Sequence, residues 1–140
     1  VINDFEKESE DNLKRVGKTL AGVEIVHFCT NDNCRQLWEK FNIGQKLGAV
    51  VFWHFIIPKI CELRKIVGCE YLFLFAADLT PDELLVNYYR ANLGFKDSNE
   101  HSTAIPLYDY TCKFMYQELK DIEIRREAFY ADFNPDEEAL

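Results

Sequence analysis

The clearest pattern of apolar and polar positions lies in the middle third of the chain. It opens with a turn that contains two glycines, Gly44 and Gly48, and continues as a long apolar segment over residues 49–67. Apolar positions at helical spacing, followed by Gly68, predict a helix that stops at this glycine. The next run, residues 70–77, is short and rich in aromatic and branched side chains, which predicts a strand buried on both faces.

A glycine-containing turn, a buried helix and a buried strand form the second half of a βαβ unit. Such a unit places a helix N-terminus at an edge of the sheet, where backbone amides are available to an anion. Residues 49–57 have strand-like composition, but the run continues through Pro58 into the helical pattern, so its length favours a helix. Because Pro58 cannot donate to the carbonyl of His54, we predict a kink there or a helix that restarts with Pro58 in its first turn.

The segments before this region are less regular. Residues 1–20 are charged and have few apolar positions, and they predict a helix that packs weakly on the domain. Residues 23–29 predict an interior strand. Asn and Asp residues then predict a turn that can cap a helix through Asp32 or Asn33, and residues 34–41 predict a short amphipathic helix.

The segment after the buried strand begins with Thr80-Pro81-Asp82-Glu83, which matches a capping box with proline at the first helical position. It predicts a helix that is ended by Gly94. The remaining predicted elements are a short strand at 95–97, a polar loop at 98–103, a strand at 105–115, a helix at 117–133 and an acidic tail at 134–140. The predicted fold class is therefore α/β with a central mixed sheet.

Composition restricts the classes of function. The chain has 140 residues, of which 48% are hydrophobic, and this suits one domain that spans residues 1–140. Its net charge of -8 repels a phosphate backbone, so we expect no nucleic acid as the main partner and favour a cationic or neutral one. Five cysteines, an odd number, lie mostly inside apolar runs and indicate small core residues in a reducing compartment, which favours the cytoplasm.

The sequence supports neither a membrane-spanning segment nor a metal site. The longest apolar stretch is interrupted by His54 and Pro58 and is shorter than the roughly 20 residues that cross a bilayer, so no membrane partner is expected. His27, Cys29 and Cys34 match no zinc-binding spacing, and a second pair of ligands is missing. We therefore predict no metal site.

The order of the elements and two short motifs resemble the C-terminal, acetyl-CoA-binding part of the GNAT superfamily of N-acetyltransferases. Residues 45–50, Gln-Lys-Leu-Gly-Ala-Val, match the first four positions of that family's phosphate-binding motif, Gln/Arg-x-x-Gly-x-Gly/Ala. Residues 89–95, Tyr-Arg-Ala-Asn-Leu-Gly-Phe, are similar to its Tyr-x-x-x-Gly-Phe motif with one additional residue. Val50 departs from the small residue of the family, and residues 1–20 are too few for the elements that usually precede the first strand.

The resemblance implies a GNAT-like three-layer α/β/α domain with a central mixed sheet that lacks much of the usual N-terminal arm. It implies acetyl-CoA as cosubstrate and an amine of a small molecule or a protein as acceptor, and it is compatible with a homodimer. The implied cofactor-binding residues are Val26, Phe28 and Cys29 on the first strand and Gln45, Lys46, Leu47, Gly48 and Ala49 in the phosphate turn. Their backbone groups would bind the pantetheine arm and the pyrophosphate.

Acetyl transfer from a thioester to an amine needs a neutral amine, a stabilised oxyanion and a thiolate that is protonated as it leaves. The resemblance makes Tyr89 the proton donor to the sulfur, with Tyr88 as the alternative because the additional residue in the motif changes the helical register. Glu24 is the candidate base. His27 and Asp78 are weaker candidates, since a structural histidine and a turn or cap aspartate are the commoner interpretations. A water relay is the alternative to all three.

Two other functions are compatible with the sequence. A non-catalytic GNAT-like module that binds acyl-CoA or mediates dimerisation is favoured by Val50 and by the short N-terminal region. A nucleotide-binding α/β domain that uses the same helix N-terminus has less support, because no acidic ribose ligand stands at the expected place after a GxGxxG motif.

Overall fold

The computed structural model describes residues 2–6, 16–97 and 112–132. Its helices are α1 (Asp32–Glu39), α2 (Leu47–Val51), α3 (Ile57–Val67), α4 (Leu84–Leu93) and α5 (Ile122–Ala131), with a π-helical turn (Phe52–Ile56) between α2 and α3. Its strands are β1 (Ile2–Glu6), β2 (Val16–Leu20), β3 (Gly22–Glu24), β4 (Tyr71–Ala76), β5 (Lys96–Asp97) and β6 (Lys113–Glu118). The predictions for residues 98–103, 105–111 and 134–140 lie outside the described residues.

Four strands form a mixed sheet in the order β3-β4-β6-β5. Strand β3 runs parallel to β4, whereas β6 is antiparallel to both β4 and β5. The predicted α/β class with a central mixed sheet is therefore confirmed.

The two faces of this sheet carry different side chains, because side chains alternate along a strand. Leu72 and Leu74 of β4 belong to one core cluster with buried side chains of α2, α3, α4 and α5. On the other face, the rings of Phe73, Phe75 and Phe114 contact one another. The helices that contribute to this core cluster therefore share one face of the sheet, and the three-layer arrangement stays a prediction.

The helix predicted for residues 1–20 is wrong. Strands β1 and β2 form an antiparallel two-stranded sheet instead, with Ile2 opposite Leu20 and Glu6 opposite Val16. Each strand satisfies the backbone hydrogen bonds of the other, and this pairing joins segments about ten residues apart. Spacing within a single segment cannot reveal such a partner, which explains the error.

The long apolar segment in the middle of the chain is helical throughout, as its length predicts. After α2, the N–H of Ile57 donates to the carbonyl of Phe52 across the π-helical turn, and α3 then begins with Pro58 in its first turn. Of the predicted kink or restart, the structure has Pro58 in the first turn of α3, where a missing donor costs little, and the residues before it remain helical. Arg126 of α5 donates from Nε to the carbonyl of Trp53, at 2.8 Å, and so satisfies an acceptor in the irregular turn.

Glycines end the helices on both sides of β4, as predicted. Gly68 follows α3 with φ of 66°, and Gly94 follows α4 with φ of 76°. Residues with a Cβ atom rarely adopt this left-handed conformation, which glycine reaches without strain.

The boundary between β6 and α5 differs from the prediction. Residues 117–118 belong to β6 rather than to the last helix, and α5 begins only at Ile122. The cause is the pairing of β6 with β4, which extends to Glu118 opposite Tyr71. Gln117 is fully buried in this strand, and its Nε2 donates to the carbonyl of Leu93 at 3.1 Å.

The start of α4 also differs from the predicted capping box. The helix begins at Leu84 rather than at Pro81, because the carboxylate of Asp78 caps it. Oδ2 of Asp78 accepts from two backbone N–H groups in the first turn of α4, at 2.7 and 3.0 Å. Oδ1 accepts from the hydroxyl of Thr80 at 2.6 Å and from its backbone N–H at 3.0 Å. The interpretation of Asp78 as a turn or cap residue is confirmed.

These hydrogen bonds stabilise the ionised carboxylate. The bonds from Thr80 are the largest cause, and together with those from the helix amides they lower the pKa of Asp78 from 3.8 to about 2. Because the pKa is lower in the folded state, the contribution of Asp78 to the free energy of unfolding is complete above about pH 4. It is lost as the pH falls through about 2.

We predict that Asp78→Asn lowers the free energy of unfolding near neutral pH, because the amide retains one acceptor where the carboxylate has two. The difference from the wild type should narrow between about pH 4 and about pH 2, where the wild-type carboxylate becomes protonated. Urea unfolding over a pH series measures this difference. Asp82→Asn is the matched control, since it removes an exposed carboxylate from the same turn that takes part in none of the described hydrogen bonds to α4. A difference that stays constant with pH would contradict the assignment.

Candidate functional site

Strands β3 and β4 are paired only over the first part of β4. The register ends with Glu24 opposite Phe73, and one further bond joins the N–H of Ile25 to the carbonyl of Phe73 at 2.9 Å. The strand predicted for residues 23–29 therefore ends early, while β4 continues to Ala76. Beyond Ile25, no backbone hydrogen bond between described residues joins this segment to β4, so residues 26–29 are not paired with the sheet.

The turn before α2 is held in place by Gln45. Its Nε2 donates to the carbonyl of Asp132 at 2.7 Å, and its own carbonyl accepts from Nε1 of Trp38 at 2.8 Å. Lys46 is the N-cap of α2, and in the described part of the chain no side chain caps the first amides of this helix. These amides are thus available to an anion at the start of a helical segment that continues to residue 67.

Gly48 lies in the first turn of α2, next to Tyr88 of α4. A Cβ atom at position 48 would lie 2.4 Å from the hydroxyl oxygen of Tyr88 and 3.5 Å from its ring carbon Cζ. Close approach of the tyrosine, rather than backbone conformation, therefore requires a glycine here. The same contact brings the Tyr88 hydroxyl to the start of α2.

A cavity of about 840 Å³ lies between the segment that follows β3, helix α1, the turn before α2, and α4. Its lining residues are Phe28, Cys29, Thr30, Asp32, Arg35, Trp38, Glu39, Ile43, Gly44, Gln45, Lys46, Leu47, Gly48, Leu85, Tyr88 and Tyr89. This volume is in the range of small-molecule and cofactor sites. The cavity brings together most of the site residues predicted from the sequence, which come from three separate parts of the chain.

Three predicted site residues do not line the cavity. Glu24 is exposed on β3, and Val26 is 61% exposed on the segment that follows. Ala49 is 1% exposed and belongs to the core, so only its backbone is close to the turn. The assignment of Glu24 as a base stays a prediction, without support from the lining of the cavity.

Two tyrosines of α4 line the cavity. Burial, followed by the nearby Cys29, raises the pKa of Tyr89. Burial also raises the pKa of Tyr88 to about 12, with Tyr89 as the smaller cause. Both hydroxyls therefore remain protonated at neutral pH and are able to donate. Tyr89 is close to the strand segment through Cys29, whereas Tyr88 contacts the start of α2 through Gly48.

Helix α1 begins two residues earlier than predicted. Its N-cap is Asn31, whose side chain accepts from the N–H of Asn33 at 2.8 Å, rather than Asp32 or Asn33. The helix ends at Glu39, before the predicted residue 41.

The orientation of α1 was not predictable from its apolar positions. None of its side chains is fully buried, and Leu37 is 55% exposed. The cavity is lined instead by four other residues of this helix, namely Asp32, Arg35, Trp38 and Glu39. One sequence feature could have indicated this wall of the cavity: Trp38 lies among charged residues shortly before the turn at residues 44–48.

Charges of both signs line the cavity. Arg35 pairs with Asp32 at 2.7 Å, and because both side chains are exposed the pair contributes little to stability. Lys46 lies 5.2 Å from the ring centroid of Tyr88, within the range of a cation–π contact. Glu39 has no ion pair with any described residue. Among the described residues no group of His, Cys, Asp and Glu could hold a metal ion.

The cysteines differ from the predicted set of core residues. Cys29 and Cys34 are exposed, Cys61 and Cys112 are half-buried, and Cys69 is buried. Cys29, Cys34, Cys61 and Cys69 are free thiols. Cys29 lines the cavity because the chain leaves the sheet before this residue, so the apolar run around it is no longer part of a strand.

No protein-family model, curated protein or solved structure matches this chain. Within residues 2–6, 16–97 and 112–132, no helix is long and apolar enough to cross a membrane. The chemistry of the cavity and of the motifs that line it therefore carries the functional inference.

We predict an energetic coupling between Gly48 and Tyr88. A methyl group at position 48 would overlap the Tyr88 hydroxyl, whereas removal of that oxygen leaves the ring carbon at an ordinary contact distance. Gly48→Ala should therefore be more favourable by about 1–3 kcal/mol in a Tyr88→Phe background than in the wild type. Denaturant unfolding of the two single variants and the double variant measures the coupling. Equal effects of Gly48→Ala in both backgrounds would show that the two residues do not touch.

Proposed function

We propose that this chain binds acetyl-CoA and transfers its acetyl group to a primary amine of a small molecule or a protein. The observation that carries the proposal is a single cavity lined by an uncapped helix start, by the unpaired segment at residues 28–30 and by two tyrosines of α4. The resemblance of residues 45–50 and 89–95 to GNAT motifs supports the same conclusion, because both motifs contribute to this cavity.

The start of α2 suits the pyrophosphate of the cosubstrate. Backbone amides at Leu47 and Gly48 carry the partial positive charge of a helix N-terminus, and Lys46 adds a full charge beside them. The hydroxyl of Tyr88 lies against Gly48 and is able to donate to the same anion. An acidic chain thus has a local site for a negatively charged ligand.

The unpaired segment that follows β3 suits an extended arm. An amide-containing chain such as pantetheine pairs with exposed backbone groups in the manner of an added strand. The segment around Phe28 and Cys29 offers such groups, since it lines the cavity and makes no described backbone hydrogen bond to β4. The thioester at the end of the arm would then lie near Tyr89, which is close to Cys29.

The proposed reaction needs one proton donor and one proton acceptor. The amine nitrogen attacks the thioester carbonyl carbon, the C–S bond breaks, and the departing thiolate takes a proton from the hydroxyl of Tyr89. The hydroxyl of Tyr89 carries its proton at neutral pH, and burial, which raises its pKa, disfavours the phenolate that the transfer leaves behind. The amine loses its own proton to water or to a carboxylate, and solvent restores the proton of Tyr89.

The alternative is a non-catalytic module that binds acyl-CoA or mediates dimerisation. The position of Glu24 favours this alternative, because the base predicted from the sequence does not line the cavity. The two functions share the same cavity and differ only in turnover.

Calorimetric titration with CoA and thiol release with a panel of amines test the proposal together. We expect CoA to bind with one site per chain and free CoA to be released only when a suitable amine is added. Binding without release with any amine would favour the module. Absence of binding would overturn both functions.

Replacement of Tyr89 by Phe tests the proton donor. Loss of the hydroxyl should lower kcat by about 100-fold or more, with little change in the Kd of CoA, because general acid catalysis acts only on the transition state. The ring that packs in the core is retained, so the unfolding midpoint should change little. Turnover rates, calorimetry and thermal unfolding of the variant provide the three measurements.

Tyr88→Phe is the matched control for this experiment. Its hydroxyl lies at the start of α2, so its loss should weaken CoA binding and leave kcat at saturation nearly unchanged. A Tyr89→Phe enzyme with normal kcat and reduced stability would mean that Tyr89 has a packing role only.

A further inference from the structure

Helix α1 turns an unusual face towards the cavity. A short amphipathic helix ordinarily buries its aliphatic side chains, yet Leu37 is 55% exposed. The cavity side carries Asp32, Arg35, Trp38 and Glu39 instead. A half-buried indole flanked by charged groups is suited to contact a flat, polar ligand and is not typical of a surface that packs on the protein core.

The indole of Trp38 is held in a defined position. Its Nε1 donates to the carbonyl of Gln45 at 2.8 Å, and Gln45 in turn is bound through its side chain to Asp132. Because the single donor of the indole is already used, the ring offers the cavity its π-surface and no hydrogen-bonding group. The bond to Gln45 also sets the ring beside the turn that leads into α2.

We propose that Trp38 is a stacking platform for the adenine base of bound CoA. The inference rests on the proposed function, which places the pyrophosphate at the amides of Leu47 and Gly48. In CoA the adenosine is joined directly to the pyrophosphate, so the base lies within a few bonds of that turn and reaches the neighbouring wall. Stacking on an aromatic ring accepts any base face and needs no donor from the indole.

The charged residues around Trp38 fit the polar edges of such a ligand. Arg35 lies three residues before Trp38 and also lines the cavity, where it is paired with Asp32 at 2.7 Å. Glu39, which has no ion pair in the described structure, is able to accept from the exocyclic amino group of adenine. A cationic acceptor amine is a poorer occupant, because the wall adjoins the phosphate turn rather than Tyr89.

Tryptophan fluorescence gives a direct test, since the chain has two tryptophans. Trp53 is 3% exposed, stacks on Phe129 and donates to the carbonyl of Asn92, so it serves as an internal reference. We expect CoA and ADP to quench the emission of Trp38, and 4′-phosphopantetheine, which has no base, to leave it unchanged. In Trp38→Phe the remaining emission of Trp53 should not respond to any of the three.

Comparison of the variants Trp38→Phe and Trp38→Leu separates the effect of the aromatic ring from that of the hydrogen bond. Both variants lack the bond to Gln45, and only Phe keeps an aromatic face. Trp38→Leu should therefore bind CoA and ADP about 5- to 100-fold more weakly than Trp38→Phe, while the two bind 4′-phosphopantetheine equally. Thermal unfolding of both variants shows whether the loss of the Gln45 bond alters the fold.

Each outcome separates the base site from the proposed function. If CoA and 4′-phosphopantetheine bind both variants equally well, the stacking site is refuted and the acyl-CoA assignment stands. If ADP binds with quenching but 4′-phosphopantetheine does not bind and no thiol is released, the base site stands and acetyl transfer is refuted. Failure of all three ligands to bind the wild type overturns both.

Discussion

The unequal pairing of β4 with its two neighbours is the constraint on which the site depends. Strand β6 pairs with β4 along its whole length, from Tyr71 to Ala76, whereas β3 stays with it only as far as Phe73. The long antiparallel pairing holds β4 in the sheet and places its apolar side chains in the core. The short parallel pairing releases the chain after Ile25, and the segment that leaves becomes one wall of the cavity.

The other walls are positioned by a few polar contacts in addition to apolar packing. The carboxylate of Asp78 binds the first amides of α4 and so sets the direction of the helix that carries Tyr88 and Tyr89. The bond from Trp38 to Gln45 ties α1 to the turn before α2. Packing determines where the core lies, but these side-chain bonds determine which groups meet in the cavity.

Signals local to a segment were sufficient for much of this fold. The glycine at position 68 and the proline at position 58 mark backbone requirements that no neighbouring element alters, and both predictions are confirmed. Residues 45–48 and Tyr89 line one cavity, and their role in binding stays a prediction. These features are determined by residues within about one helical turn in the sequence. Residue spacing and turn chemistry describe interactions over that range.

The predictions of secondary structure fail where contact with a segment distant in the sequence determines the structure. The pairing of β1 with β2 and the extension of β6 to Glu118 are settled by another strand, and neither segment reveals that partner. The sequence Thr80-Pro81-Asp82-Glu83 matches a capping box, but α4 begins only at Leu84, where Thr80 accepts from the N–H of Leu84 and Asp78 accepts from the next two amides. For α1, the apolar stripe that usually indicates the buried face was misleading, because a cavity lies where a core was expected.

The proposed reaction needs a group that accepts the proton of the amine, and the residues that line the cavity limit the candidates for this role. Both tyrosine hydroxyls carry a proton at neutral pH, and burial, which raises the pKa of each, makes neither suitable as the acceptor. Of the lining carboxylates, Asp32 is neutralised by Arg35 at 2.7 Å, whereas Glu39 has no ion pair with a described residue. Glu24 is separated from both by its place on β3, outside the lining. Since Glu39 adjoins the wall assigned to the base of the cofactor, it is remote from the thioester if the arm extends towards Cys29. A water relay, which needs only space beside Tyr89, is then the acceptor most consistent with the geometry.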